Sequence, residues 1–296
     1  MESRSLQLPP AMTDGQFKQW AVLLEQRTGL VLPLERKSFL VTSLGLRMRQ
    51  VGYSNFQTYF DYLQWQDVDQ QEWQVLVDRL TVHETQFFRH PQSLDLIQTH
   101  WLMPYLNTAP AGLRLNAFSV GCSTGEEAYT LAMVIDHSIT LSAAAMDWQI
   151  QAVDISRPCL ATARAGQYPP RHLAKIAPYF QSRYGSMQDN QRWQISESLR
   201  QKIQFTEMNL LHIDQQQVGF QHLIVCQNVL IYFDRQRSLA ILEGLVKWLL
   251  PGGLLVLAPG EMVGWRHPSL KTVYYKDAVA FCRLNNDDTK GSNNYE

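Results

Sequence analysis

Three polar residues, Glu127, Asp154 and Asn228, each stand just beyond a short apolar run, where a strand of an α/β sheet would end. Glu127 follows the run 116–120 and a turn of small residues, Gly121, Cys122, Ser123, Thr124 and Gly125, whose glycines let the backbone turn sharply and approach a ligand closely. Glu126 and Glu127 then fall in the first turn of a helical pattern with Tyr129, Leu131, Ala132 and Ile135 on its apolar face. Acids there suit the positive end of a helix dipole, so they have an ordinary structural reading. They also disfavour a phosphate, because a pyrophosphate site keeps its helix start free of negative charge. A ligand carrying hydroxyls, an amine or a sulfonium fits better. Asp154 closes the next run, 148–153, about 30 residues past the turn, from which an acid can accept from both hydroxyls of a ribose. It can equally cap the helix that begins near Cys159. Asn228 and Tyr232 follow the run 222–227 and belong at the same C-terminal sheet edge, where open α/β folds bind ligands; a loop cap and a core aromatic are their structural readings. Arg89, in the stretch LTVHETQFFRHP (80–91), can grip a carboxylate with two parallel hydrogen bonds or simply be solvated.

Composition narrows the setting of this chemistry. The chain of 296 residues is 45% hydrophobic and 18% charged, enough for a large core in an ordinary globular protein, with one large and one smaller domain. A net charge of −1 gives no general attraction to nucleic acid. Apolar runs such as 223–233 are too short to span a bilayer, and 1–12 lacks the basic start and apolar core of a secretory signal, so a cytoplasmic location is expected. Cys122, Cys159, Cys226 and Cys282 are widely spaced, and none of the eight histidines falls in an HxxxH or HExxH pattern; no metal site is expected.

The elements that position these residues fall into two patterns. Residues 13–80 read as short helices: Phe17, Trp20, Ala21 and Leu24 form one stripe, Leu40, Leu44, Met48 and Val51 a second, Phe56, Tyr59, Phe60 and Leu63 a third, and Trp73, Leu76, Val77 and Leu80 a fourth. After a connecting stretch, 81–115, strands alternate with helices over 116–286, which implies a doubly wound, mostly parallel α/β sheet. Strands are expected at 116–120, 149–153, 203–207, 222–227 and 254–258, with a last near 281–284. Pro169, Pro170 and Pro178 with the polar run 188–194 mark an inserted subdomain at about 165–200, and 287–296 is a polar tail.

Together the blocks LTVHETQFFR (80–89), SVGCSTGEEAYTLAM (119–133), AVDIS (152–156), MNLL (208–211), CQNVLIYFD (226–234) and LLPGGLLVL (249–257) resemble the chemotaxis receptor methyltransferases, the CheR family, over nearly the whole chain. The resemblance implies a class I methyltransferase-like fold and transfer of a methyl group from S-adenosylmethionine to glutamate side chains of chemoreceptors, leaving S-adenosylhomocysteine. Position by position it implies Thr85 and Arg89 near the methionine end of the cofactor, Glu127 facing it at the small-residue turn and Asp154 on the ribose. Asn209 and Leu210 would surround the adenine, Asn228 and Val229 would line the reacting end, and Tyr232 would lie by the transferred methyl, with Tyr232 and Arg89 as the catalytic candidates that could hold the substrate carboxylate. His83 stands where the family usually has asparagine, which puts that cofactor contact in question. Ala128 replaces a common proline, Gln227 a common arginine, and Ser43 an arginine of the second helix.

Receptor helices near methylation sites are acidic, and 27–49 holds five cations, Arg27, Arg36, Lys37, Arg47 and Arg49, against one acid, Glu35. Arg36 and Arg47, eleven residues apart, would share a helical face, giving Arg36, Arg47 and Arg49 as receptor contacts and 13–80 as the recognition domain; a solvated face is the structural reading. The insert has Gly185 alone where a glycine-rich turn would accompany strand addition by a receptor's terminal peptide, so no such tether is expected. The partners expected are thus the cytoplasmic helices of chemoreceptors, met by a monomer with neither nucleic acid nor membrane insertion. Two other classes stay open: a cofactor-binding regulator that transfers nothing, and a methyltransferase for nucleic acid or a metabolite. Asn228-Val229-Leu230-Ile231 lacks the Asn/Asp-Pro-Pro-aromatic block of amino-methylating nucleic-acid enzymes.

Overall fold

The computed structural model describes residues 11–64, 70–81, 83–110 and 112–285; the polar tail read at 287–296 and nearly all of 1–12 lie outside them. Contacts divide the chain into two units, Met1–Val82 with Tyr232–Asp234, and His83–Ile231 with Arg235–Glu296.

The first unit is built from α1 (Asp14–Thr28), α2 (Lys37–Gln50), α3 (Phe56–Gln64) and α4 (Gln70–Leu80), with a 3-10 turn at Leu34–Arg36 leading into α2. Thr13 and Gln16 close a capping box at the start of α1, and Gly29, at φ 78, ends it in the left-handed conformation that glycine adopts without a Cβ clash. Leu40, Leu44 and Met48 of α2 are fully buried, each contributing about 1.5–3 kcal/mol. They pack with Trp20, Phe56, Tyr59 and Leu63 in one core. A charge lies inside this core: Glu72, 6% exposed, accepts from Arg47 Nε at 3.0 and 3.2 Å, from Arg47 Nη2 and from the Tyr59 hydroxyl. Burial and the adjacent carboxylate push the Tyr59 pKa up, so the phenol stays a donor.

Arg47 is therefore turned inward and does not form one helical face with Arg36. Arg36 ends the 3-10 turn before α2, so their eleven-residue spacing is not three turns of a single helix.

In the second unit, α5 (Pro91–Asp95) continues through a π-helical stretch, Leu96–Leu102, into α6 (Met103–Thr108). Then come β1 (Arg114–Val120), α7 (Glu126–Ser142), β2 (Asp147–Asp154) and α8 (Arg157–Ala165). The insert supplies β3 (Gln167–Tyr168), α9 (Pro178–Tyr184), β4 (Gly185–Met187), β5 (Trp193–Ile195) and α10 (Glu197–Arg200). The chain returns through β6 (Ile203–Glu207), β7 (Gln221–Cys226), α11 (Arg235–Trp248), β8 (Leu249–Leu257), β9 (Leu270–Tyr275) and β10 (Ala278–Arg283). The main sheet has seven strands in the order β6-β2-β1-β7-β8-β10-β9, parallel except for β10, which runs antiparallel to both neighbours. Strand order reverses between β1 and β7, so the crevice beyond Val120 and Cys226 is the switch point at which such sheets bind ligands. The insert folds as a separate sheet, β3-β5-β4. Its glycine serves packing: a Cβ on Gly185 would lie 2.5 Å from the Trp193 ring.

Three elements differ from the sequence pattern. Helix α7 is buried almost all round, Ala128 to Ile135 without interruption, because the sheet covers one side while α6, the π-helical stretch and α10 approach the other. Strand β8 begins at Leu249 and takes the Pro251-Gly252-Gly253 turn into itself as a bulge, so that Gln221 pairs Leu249 but Leu223 pairs Leu254. Strand β9 is an added edge strand; none of its residues is buried, and Lys271 and Tyr274 are exposed, so no buried run marks it.

Removing the carboxylate with Glu72→Ala strands the Arg47 guanidinium and the Tyr59 hydroxyl in the helical core, and should cost about 3 kcal/mol. Urea denaturation of the full chain measures it; a loss under about 0.5 kcal/mol, the range of an exposed pair, would contradict the buried-charge reading.

Candidate active site

The turn after β1 is shaped by what its backbone must satisfy. Gly121 and Cys122 both donate N–H to the Val153 carbonyl, at 2.8 and 2.9 Å, which folds the turn over the end of β2. Gly121 has φ 73, and a Cβ there would stand 2.4 Å from Val229 Cγ2, so glycine is required both by conformation and by the neighbouring loop. Asp154 binds the turn from the other side: Oδ2 accepts from Ser123 N–H at 2.8 Å and Oδ1 from Ser156 N–H at 2.9 Å. The cap of α8 is Ser156, whose hydroxyl accepts from Cys159 N–H, and not Asp154. Burial raises the Asp154 pKa against the opposing pull of these N–H donors and of His83, which lies within electrostatic reach.

The two acids that open α7 separate in role. Glu126 is fully buried, holding Thr124 Oγ1 at 2.6 Å and His172 Nδ1 at 3.0 Å, and so ties the helix start to the insert. Glu127 is half-buried and accepts from Ser119 Oγ at 2.7 Å. Burial pushes its pKa up to about 8, against the Ser119 hydrogen bond and with a further push from Glu261, while Arg89 favours the anion.

Of the other residues named from sequence, Asn209 caps the 3-10 turn Leu210–Gln215 through Leu211 N–H, at 3.0 Å, next to Met208, whose N–H reaches the Asp154 carbonyl at 3.0 Å. Leu210 is buried beside it. The segment carrying His83, Thr85 and Arg89 is fixed by Ser123 Oγ donating to the His83 carbonyl and Phe88 N–H donating to Thr130 Oγ1; Arg89 Nη1 donates to the Glu84 carbonyl at 2.7 Å, and Thr85 is half-buried. Asn228 is left-handed, φ 61, with Oδ1 accepting from His90 Nε2–H at 2.7 Å. Tyr232 groups with the helical unit: its carbonyl accepts from Val31 N–H at 2.8 Å, and the Arg36 guanidinium stands 5.8 Å from its ring centre. Sequence reasoning missed His90, Ser119 and Glu261. Glu261 carried a signal of the Asp154 kind, an acid just past a strand end, after Pro259-Gly260.

The second unit thus gathers acids, hydroxyls and amide groups at the C-terminal edge of β1, β2 and β7. Residues 83–278 match the family model described as CheR methyltransferase, SAM binding domain, and 15–81 match the CheR methyltransferase all-alpha domain. The chain belongs to the CheR methyltransferase family. Chemotaxis protein methyltransferase 1 of Pseudomonas aeruginosa is 30% identical over 84% of this chain and 90% of its own length. The chemotaxis protein methyltransferase of Escherichia coli is 30% identical over 85% of each chain, and Cher2 of Pseudomonas putida is 31% identical over 83% of this chain and 89% of its own. The acid set of this CheR chain fits S-adenosylmethionine, which brings a cationic sulfonium and two ribose hydroxyls and no phosphate.

Because burial pushes its pKa up to about 8, Glu127 should be largely protonated in free protein at pH 7. A cationic ligand beside it favours the carboxylate, so binding should release a proton, and affinity for S-adenosylmethionine should rise by up to about tenfold between pH 6 and pH 7. Calorimetry in buffers of different ionisation enthalpy reads the proton directly. Glu127→Gln should abolish the release; an unchanged proton count in that variant would place the titration elsewhere.

Proposed function

We propose that this protein methylates glutamate side chains on the cytoplasmic helices of chemoreceptors, with S-adenosylmethionine as donor and glutamate methyl esters as product. The observation that carries the reading is the cluster at the switch point, Glu127, Asp154, Asn228 and Val229 around one glycine turn, on a chain whose similar relatives are chemotaxis protein methyltransferases. When bound, the cofactor supplies an electrophilic methyl on sulfur. A glutamate carboxylate is ionised at pH 7, so the chain need provide no general base. Its tasks are alignment and the removal of water from that carboxylate.

In this reading Asp154 accepts from the ribose hydroxyls with the lone pairs that Ser123 and Ser156 leave, Asn209 and Leu210 border the adenine, and Glu127 faces the cationic end. Arg89 and Thr85, with His83 in the usual asparagine position, serve the methionine carboxylate end, and Asn228 and Val229 line the reacting end. The Tyr232 hydroxyl holds the incoming carboxylate. The helical unit recognises the receptor through Arg36 and Arg49, whereas Arg47 contributes by keeping that unit folded. The protein works as a cytoplasmic monomer; among the described residues no helix is long and apolar enough to cross a membrane.

Incubation with labelled cofactor and receptor-rich membranes should give base-labile methyl esters. Cofactor binding without esters would make the protein a non-catalytic regulator. Asp154→Ala should weaken cofactor binding by about 1–3 kcal/mol, read by calorimetry. Tyr232→Phe should leave that affinity intact and lower kcat. Arg36→Glu should raise the KM for receptor, and wild-type activity should fall with salt, since exposed pairs are screened over about 8–10 Å. Normal receptor kinetics in the Arg36 variant would remove the basic surface from the proposal.

A further inference from the structure

Glu261 lies in the turn beyond β8, half-buried, with its carboxylate turned toward backbone. Oε2 accepts from Asn228 N–H at 3.2 Å and Ala258 N–H at 3.0 Å, and Oε1 from Leu230 N–H at 3.0 Å. The N–H groups of Val229 and Ile231 also favour its ionised form, against the burial that raises its pKa. Such a row of converging amides follows from the left-handed φ of 61° at Asn228, which turns successive N–H groups to one side and makes an anion-binding concavity. In many proteins a phosphate occupies such a concavity; here the chain's own carboxylate does.

The residues so held are those assigned above to the reacting end of the cofactor site. Asn228 is gripped twice, its N–H by Glu261 and its Oδ1 by His90 Nε2–H, which leaves its amide Nδ2–H groups as the donors it can offer elsewhere. Val229 presses on Gly121, where a Cβ would stand 2.4 Å from Val229 Cγ2. A shift of this loop therefore reaches the small-residue turn directly. A left-handed asparagine is a strained conformation that persists where its surroundings over-determine it.

We propose that Glu261 is a positioning residue for methyl transfer: it fills the amide concavity after β7, locks Asn228 in its left-handed conformation and, with His90, sets which end of the Asn228 amide faces the cofactor. The proposal rests on the reading that Asn228 and Val229 line the cofactor site.

The test uses the full chain as wild type, Glu261→Gln, Glu261→Asp and His90→Ala, with S-adenosylhomocysteine as the binding probe. Glu261→Gln keeps the size but loses the charge and one acceptor oxygen. Amide hydrogen exchange at 228–231 should quicken about tenfold or more, and the Kd for S-adenosylhomocysteine should rise about tenfold. The kcat should fall at least as far while the receptor KM stays within about twofold, with Glu261→Asp recovering part of each change. His90→Ala should lower kcat and affinity without quickening backbone exchange. Faster exchange in Glu261→Gln with unchanged Kd and kcat would reduce Glu261 to a fold-stabilising residue and overturn the proposal, as would unchanged exchange. If Glu261→Gln does not fold, His90→Ala and Glu261→Asp decide: normal Kd and kcat in both would overturn it. Should wild type form no receptor esters, the substrate reading fails alone, and exchange and Kd still judge Glu261.

Discussion

A parallel sheet leaves backbone N–H groups unpaired at the turns where its strands end, and each that is withdrawn from water must find an acceptor. Here two carboxylates accept five of these N–H groups. Asp154 takes the N–H groups of Ser123 and Ser156; Glu261 takes those of Asn228, Leu230 and Ala258. The turns after β1, β2, β7 and β8 are thereby held together by acid-to-amide contacts, with the Gly121 and Val229 contact closing the remaining gap. A neutral acceptor would satisfy these donors less well, since a charge-assisted hydrogen bond is roughly twice as strong as a neutral one.

Acids gathered for that purpose also set the electrostatics of the crevice. Asp154, Glu127 and Glu261 all have pKa values raised by burial, and Glu261 adds to the rise at Glu127. The site is under tension that a cationic ligand relieves and an anionic one would worsen. One physical fact, carboxylates half-removed from water, bears both on how the turns are tied together and on the charge of the ligand that would suit them.

The helical unit uses charge differently. Its basic stretch is not a uniform cationic surface, because Arg47 is drawn into the core by Glu72 and Tyr59. Lys37 is paired with Asp14 at 2.6 Å, an exposed pair of small energetic weight. Counting cations along a sequence therefore overstates the charge a partner meets.

The alternation of strands and glycine turns was legible in the sequence, because β7 carries a nearly continuous apolar run, β2 and the edge strand β6 alternate buried apolar with more exposed polar residues, and a sharp turn beside a ligand needs glycine. Hence β1, β2, β6 and β7 and the acid at the end of β2 could be read directly. The edge strand β9 was not legible, since unlike the edge strand β6 it has no buried residue to set up an alternation, nor was the start of β8, where Pro251 and Gly252 form a bulge and not a turn. The position of an acid at a strand end was legible, but the distant groups it bonds to were not. His90 meets Asn228 across 138 positions and Glu261 meets it across 33, so their roles exist only in the folded chain. For the same reason Arg47, 25 positions from Glu72, reads as a surface cation until α2 and α4 pack together. Local pattern thus determined which elements form and where their turns fall; tertiary packing decided which charges are buried, because burial depends on what covers a side chain and not on its neighbours in sequence.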